Sequence, residues 1–314
     1  MTERDDGPTG RDRPQGGGRL VLVATPIGNL GDLSPRAVSA LAEADVIVCE
    51  DTRRTGRLLE HAGVAKRRLI VANEHAEASA AAEVGRLLAA GATVAVVTDA
   101  GTPGISDPGA RLVRAAIDGG HPVTVVPGPA AAVAAVVLSG LPADRFVMEG
   151  FLPRRGHERA ERLAALAGER RTTVLYEAPH RLTRTLADLV VTVGADRPVA
   201  ICRELTKLHE EVWRGSLGEA AERAGAAEPR GEHVLVLGGA TAPIPPDDDA
   251  VRDALAARQA AGDDRKTAIA TVTRELQLPR RRVYELAHRP AAGQIGSEPP
   301  PTGTPEARDR PPVV

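Results

Sequence analysis

The sequence predicts an α/β protein: two α/β halves followed by a small helical module at the C-terminal end. Three observations predict it. Short β-branched apolar runs alternate with segments of helical spacing through most of the chain. Gly/Pro-rich loops stand where such runs end and helices begin, the place where open α/β sheets bind ligands. Beyond a Pro/Asp-rich stretch the spacing turns purely helical.

Met1 to Gly18 is rich in Gly, Asp and Arg without periodicity and is expected to be disordered. An N-terminal α/β domain is expected over 19–127. Leu20 to Ala24 reads as a strand, and the loop Thr25-Pro26-Ile27-Gly28-Asn29-Leu30-Gly31-Asp32 follows it. Ser34 and Pro35 open a helix to about Ala44, as N-cap and first-turn residues. Val46 to Cys49 is a strand ending in Glu50-Asp51-Thr52-Arg53-Arg54, and a helix to His61 stops at Gly63. Leu69 to Ala72 is a strand, followed by Asn73-Glu74-His75 and an Ala-rich helix ending at Gly91. Thr93 to Val97 reads as a buried parallel strand. The loop after it, Thr98 to Gly109, carries Gly101, Gly104, Gly109 and two prolines. It is too long and too Gly-rich for a plain connection and reads as a ligand loop. Asp107 and Pro108 fit the N-cap and first turn of a helix over Ala110 to Ile117. Val123 to Val126 completes a sheet expected to be parallel and covered on both faces.

A second α/β domain is expected over 128–240, entered through Pro127-Gly128-Pro129. Ala130 to Leu138 reads as a buried Ala/Val helix. Arg145 to Phe151, Thr172 to Tyr176, Val199 to Cys202, Val212 to Arg214 and Val234 to Leu237 read as strands. Gly156 to Ala167 and Leu182 to Val193 read as helices. Residues 241–249 form a linker. Residues 250–290 read as three short helices. Lys266 to Leu276 and Arg280 to His288 flank the turn Gln277-Leu278-Pro279, a helix-turn-helix spacing. Arg280, Arg281 and Arg282 open the last helix, where basic residues suit phosphate contacts. A plain bundle with a solvated basic face accounts for them equally well. Residues 291–314 are Pro/Gly-rich and expected to be disordered.

Composition narrows the function. Aromatics make up 2% of the 314 residues, so the cores rest on Val, Leu, Ile and Ala. A formal charge of -2 does not advertise nucleic-acid binding, although basic spots at Arg53-Arg54, Arg154-Arg155 and Arg280 to Arg282 can supply it locally. Cys49 and Cys202 end apolar runs and read as buried free thiols in a reducing cytoplasm. The charged N-terminus is unlike a signal peptide, and the most apolar run is too short to span a bilayer. No Cys/His spacing suits a metal. A Gly-x-Gly-x-x-Gly after the first strand, a Gly-Lys-Ser/Thr P-loop and a Gly-x-Ser-x-Gly elbow are all missing, which argues against dinucleotide, NTPase and hydrolase sites. The Gly/Pro loops suit instead an adenosine-type ligand held by backbone atoms.

Seven runs carry a resemblance: Thr25 to Asp32, Glu50-Asp51-Thr52-Arg53, Asp99 to Gly109, Pro127-Gly128-Pro129, Glu149-Gly150-Phe151-Leu152-Pro153, Tyr176-Glu177-Ala178-Pro179-His180-Arg181 and Arg203-Glu204-Leu205-Thr206-Lys207. In this order they resemble the RsmI family, the 16S rRNA (cytidine-2'-O)-methyltransferases of the tetrapyrrole-methylase superfamily. The likeness covers about Leu20 to Gly238, and the tail resembles that family's small helical domain. The loop Asn73-Glu74-His75 departs from the family pattern.

The resemblance implies two α/β domains of the tetrapyrrole-methylase type with S-adenosylmethionine in the cleft between them, in a cytoplasmic homodimer acting on 16S rRNA or the 30S subunit. It places Pro26, Gly28 and Leu30 on one wall of the donor site. Gly101, Thr102, Ile105 and Ser106 would hold the amino-acid and ribose parts. Ala130 and Ala131 would allow close backbone approach, and Tyr176 and Leu205 would lie near the adenine. A ribose hydroxyl needs a base or a lowered pKa to attack a methyl group. Glu50, Asp51, Glu177, His180 and Glu204 are the candidates, and the residue types do not choose among them. Arg53, Arg181, Arg203, Lys207, Arg280 and Arg281 could hold phosphates. Ordinary ion pairing accounts for these charges equally well. Two other functions fit the pattern: methylation of a tetrapyrrole or a modified protein side chain, and a non-catalytic RNA-binding module, which the intact donor loops count against. With few aromatics to stack bases, recognition is expected to lean on phosphates and RNA shape.

Overall fold

The computed structural model describes residues 17–73, 76–241 and 246–288. Residues 1–16 and 291–314 of the expected disordered tails, the last two residues of the expected helical module (289–290), the linker residues 242–245, and 74–75 with His75 lie outside the described residues. Gly18, expected in the N-terminal tail, is tied to the fold by its amide, which donates to the Leu88 carbonyl at 3.1 Å.

The first sheet holds β1 (Arg19–Val23), β2 (Val46–Cys49), β3 (Arg68–Val71), β4 (Thr93–Val96) and β5 (Val123–Val126). All pairings are parallel, in the order β3-β2-β4-β1-β5. Helices α1 (Pro35–Glu43) and α2 (Thr52–His61) cover one face through Leu41 and Leu59, against Val23, Ile47 and Ala95. Helices α3 (Glu77–Ala89) and α4 (Ala110–Asp118) cover the other through Val84, Leu88 and Leu112, against Leu20, Val48 and Val94. Burial on both faces explains the unbroken apolar runs of the central strands β1, β2 and β4, while the edge strands β3 and β5 are partly exposed. Ser34 caps α1 by accepting from the Ala37 amide.

The cap of α4 differs from expectation. Gly109, not Asp107, is the N-cap residue, with φ +141 and no side-chain cap of its own. The free amides at this end find Glu77 of α3, whose Oε1 accepts from Gly109 at 2.8 Å and Arg111 at 3.2 Å. A carboxylate from a neighbouring helix thus does the capping, and Asp107 is left for other contacts.

The second sheet holds β6 (Phe146–Phe151), β7 (Thr172–Glu177), β8 (Pro198–Arg203), β9 (Glu211–Ser216) and β10 (His233–Leu237), in the order β6-β7-β10-β8-β9. Only β6 and β7 pair in parallel; β10 and β9 join antiparallel. Helix α5 (Ala131–Ser139) covers one face through Ala132, Ala135 and Val136. It is not buried all round as its composition predicts: Val133 and Val137 are 53% and 72% exposed, because only one stripe meets the sheet. Helices α6 (His157–Gly168), α7 (Pro179–Val193) and α8 (Leu217–Ala226) cover the other face around Leu186, Leu189, Leu217 and Leu235. Helix α7 begins at Pro179, so His180 and Arg181 lie in its first turn rather than in a loop. Helix α8 was not expected, yet Ser216 and Glu219 form its capping box, a spacing visible in the sequence. Cys49 and Cys202 are buried free thiols, and burial pushes the Cys202 thiol up to about 11.

Among the described residues, both sheets belong to one compact unit that ends at Thr241, and residues 246–288 form a second. In the latter, α9 (Asp248–Ala260), α10 (Arg265–Glu275) and α11 (Arg280–His288) close around Val251, Ile269, Val272 and Val283. Arg282 pairs with Asp248 at 2.8 Å and Arg281 with Glu285 at 2.9 Å.

Candidate donor cleft and reacting edge

Because β1 and β4 are neighbours, the loops following them leave the same edge of the first sheet. They are stitched by a two-way bridge: the Thr25 amide donates to Gly101 O at 2.9 Å, and the Gly101 amide to Thr25 O at 3.1 Å. Gly101 has φ +82, a region that side chains other than Gly rarely enter. A Cβ there would lie 3.6 Å from Ile27 Cγ2 and 3.9 Å from Pro129 O. Thr102 Oγ1 donates to Pro129 O at 3.4 Å. The three Gly/Pro runs therefore meet at Gly101.

The second half joins at Ser106. This residue has φ +62 although it is not glycine, and its Oγ lies 3.3 Å from where a Cβ on Gly150 would stand. Gly150 sits at the irregularity in the β6–β7 pairing, so its missing side chain lets the loop of one sheet touch a strand of the other. Ala131, Tyr176 and Leu205 pack in one cluster with Ile27. Burial pushes the Tyr176 phenol up, and the Ala132 amide bonds to it. The Phe151 ring lies 5.5 Å away. Ala130 is the N-cap residue of α5 and has no side-chain cap. Pro26 is buried, whereas Leu30 and Ile105 stand 47% and 52% exposed. A Cβ on Gly28 would sit 2.4 Å from Lys207 Cγ, which brings the loop after β1 onto the loop after β8.

The five acid–base candidates separate. Asp51 caps α2, and the Arg53 amide, at 2.7 Å, holds its carboxyl below the usual range. Glu177 is buried and fully engaged: it accepts from Arg181 Nε at 3.0 Å, Thr185 Oγ1 at 2.5 Å and the Ala178 amide at 3.0 Å. Glu204 accepts from the Glu232 amide and Lys207 Nζ, both at 2.9 Å, and the amide foremost lowers its pKa. His180 is exposed beside Arg154, Arg181 and Arg184. Glu50, like the exposed His180, makes no ion pair or hydrogen bond among the described residues.

The structure adds a carboxylate that sequence reasoning spent on a helix cap. Asp107, next to Ser106, likewise has no ion pair or hydrogen bond among the described residues. Burial, then Glu50 and Asp99, push it up to about 6. Its field reaches Tyr176. Its position inside the Gly/Pro loop was the available signal. Of the expected phosphate holders, Arg53 is 84% exposed and pairs only with Asp51. Arg181 is spent on Glu177 and the Leu152 carbonyl, and Lys207 on Glu204 and Glu232. Arg203 contacts Glu211 and the Arg230 carbonyl. Arg280 and Arg281 belong to the helical unit.

The raised pKa of Asp107 has a thermodynamic consequence. Its folded value lies above its ordinary 3.8, so the fold binds this proton more tightly than the unfolded chain does. That contribution is complete below about pH 4 and is lost by about pH 6. Asp107→Asn is therefore expected to stabilise the protein near neutral pH by about 1 kcal/mol after allowance for solvent screening. Thermal melts should show the gain at neutral pH and almost none near the acid end.

The tetrapyrrole (corrin/porphyrin) methylase family model matches residues 19–221. A ribosomal RNA small subunit methyltransferase I of Synechocystis sp. is 46% identical over 272 residues, covering 86% of this chain and 97% of that protein. One of Mycobacterium bovis is 51% identical over 224 residues, covering 71% and 78%. In fold, the chain is similar to a crystal structure of the methyltransferase CobJ, with TM-score 0.55 and 22% identity over 72% of this chain and 95% of that one. The bridged Gly/Pro loops are thus set in a known frame: the chain belongs to the tetrapyrrole methylase family and, within it, to the ribosomal RNA small subunit methyltransferase I family.

Proposed function

We propose that this protein methylates the ribose 2'-hydroxyl of a cytidine in the decoding region of 16S rRNA, acting as a cytoplasmic homodimer on the assembled 30S subunit. The observation that carries the reading is its 46% identity to a small-subunit rRNA methyltransferase along 97% of that protein's length. S-adenosylmethionine is the methyl donor, and supplies a sulfonium-bound methyl group as the electrophile. The cleft fits it: Gly101 leaves a space that any side chain would fill, and Thr102 and Ser106 turn hydroxyls toward the junction of the two sheets. Ala130 and Ala131 keep the start of α5 bare, and Tyr176 and Leu205 give an apolar wall.

The chain's own contribution is positioning and proton removal. Glu177 and Glu204 are spent on holding α7 and the loop after β8, and Asp51 on capping α2. Glu50 and Asp107 are unspent carboxylates, close enough that the charge of Glu50 raises the pKa of Asp107, and this pair takes the proton of the attacking hydroxyl. Its titration belongs to both groups together. Methyl transfer is expected to slow as pH falls below about 6, where Asp107 takes up its proton. Asp107→Asn should lower kcat by about 100-fold or more and flatten that limb; an unchanged pH profile would remove Asp107 from the reaction.

Supplying labelled donor with 30S particles, naked rRNA or a corrinoid precursor separates this reading from methylation of a tetrapyrrole. Incorporation into 30S particles is expected, and incorporation only into the corrinoid would refute it. The exposed Val133 and Val137 on α5 offer apolar surface for self-association; sedimentation should give a dimer. Deleting 250–314 is expected to leave donor affinity intact and raise KM for 30S particles. An unchanged KM would make the helical unit irrelevant to docking.

A further inference from the structure

On the α7/α8 face of the second sheet, opposite α5, lies an open cavity of about 420 Å³, in the range of about 300–1,000 Å³ common to small-ligand sites. The register aligns a polar row across three strands: His233 of β10 opposes Arg203 of β8, which opposes Glu211 of β9. Trp213, two residues beyond Glu211 on β9, faces the same cavity, and Leu182 and Ile201 line it as well. Arg230 stands at its exposed rim.

Three features of this cavity point to a ligand. His233 is 5% exposed and lines the cavity, yet its Nδ1 has no hydrogen-bond partner. Burial, then Arg203, lower its pKa; the Gly231 backbone pulls the other way, but it meets Nδ1 outside hydrogen-bonding geometry. A buried ring nitrogen of this kind is costly unless something bonds to it. Second, Glu211 is clasped between Arg203 and Arg223, which fixes its carboxylate at the wall. Third, Arg230 has no carboxylate partner among the described residues. Gly215 makes room for the indole: a Cβ there would lie 2.6 Å from Trp213 Cη2.

An aromatic face, hydrogen-bonding groups in a row and an unpaired guanidinium together match one chemical class, a nucleobase carrying a phosphate. An aliphatic acid would leave the Trp213 ring unused, and a neutral sugar would leave the Arg230 guanidinium without a counter-charge. Arg203 begins the loop whose Leu205 packs in the donor-side cluster, and two residues span at most about 7 Å. We propose that this cavity takes one unpaired nucleotide of the RNA substrate, with its base on Trp213 and its phosphate at Arg230. This rests on the rRNA reading and extends it: sequence is read on the face of the sheet opposite the donor.

Trp213 is the only tryptophan in the chain and reports on the cavity directly. The full-length enzyme is titrated with a short single-stranded oligoribonucleotide, with cytidine monophosphate and with inorganic phosphate, following indole emission. The oligoribonucleotide is expected to quench it and inorganic phosphate to leave it unchanged. Arg230→Ala and Trp213→Leu are expected to raise KM for the RNA substrate about tenfold, with kcat, donor affinity by calorimetry and melting behaviour nearly unchanged. Emission unaffected by either nucleotide, in an enzyme that methylates 30S particles normally, would overturn the cavity while leaving the rRNA reading standing. Quenching by cytidine monophosphate with no change of RNA KM in either variant would make this a free-nucleotide site and overturn the assignment to the substrate. Failure to methylate any RNA, with methyl transfer to a corrinoid instead, would overturn the rRNA reading and the substrate assignment together, whatever the emission shows.

Discussion

Gly101→Val is expected to abolish donor binding while the protein stays folded. The substitution carries two penalties at one place. Gly101 sits at φ +82, where a β-branched residue is strongly disfavoured. Its Cβ would also enter the space bounded by Ile27 and Pro129 where the three Gly/Pro loops meet. The two sheet cores, around Val94 and around Leu235, lie elsewhere and keep their packing. We expect calorimetry to show at least a 100-fold loss of affinity for S-adenosylmethionine, equal to about 2.7 kcal/mol, with an intact circular dichroism spectrum. Undiminished affinity would move the donor away from this loop.

The second large effect is on stability. Arg181→Met is expected to destabilise the fold by about 3 kcal/mol, because removing one partner of a buried ion pair strands the other charge. Glu177 has a side chain only 1% exposed, and Arg181 is its cationic partner at 3.0 Å. The Thr185 hydroxyl and the Ala178 amide remain as donors and keep the cost near the low end. Thr185 in turn accepts from buried Arg159, which holds Asp188 at 2.7 Å, so the loss reaches α6 and α7. Glu177→Leu combined with Arg181→Met should recover most of the stability, since no buried charge is then left alone. Equal melting temperatures for the single variant and the parent would show that Arg181 is free, as a phosphate holder would be.

That pair marks where the sequence was readable and where it was not. Val46–Cys49 was legible because a strand buried on both faces leaves an unbroken β-branched run, whereas Val123–Val126, at the sheet edge, was legible from its β-branched residues alone. The cap at Ser34 was legible because capping is local, and the same local signal at Asp51 was passed over in favour of a catalytic reading. The cap of α4 was not, because Glu77 reaches it from another helix, and no local pattern records a contact 32 residues away. The same limit applies to the charges. Arg181 and Lys207 look alike in sequence to any phosphate-binding residue, and only the tertiary fold reveals their carboxylate partners. Asp107 was misassigned for the converse reason. Local spacing offered it a cap, and its freedom became visible only once that cap was taken by another residue. The Gly/Pro loops were legible as shaped loops because Gly and Pro record backbone demands directly, as φ +82 at Gly101 and the two-way bridge to Thr25 show.

The measurement that bears most directly on the central claim is the chemical position of the transferred methyl group. Reconstituted 30S particles lacking the modification are incubated with the protein and S-adenosylmethionine, and the 16S rRNA is then digested to nucleosides and weighed by mass spectrometry. The account predicts one new methylated nucleoside, a cytidine bearing the methyl on its ribose, and a backbone resistant to alkaline cleavage at that nucleotide because the 2'-oxygen is blocked. A methyl group on the base, with the backbone still cleaved by alkali, or no methylated nucleoside at all, would contradict it.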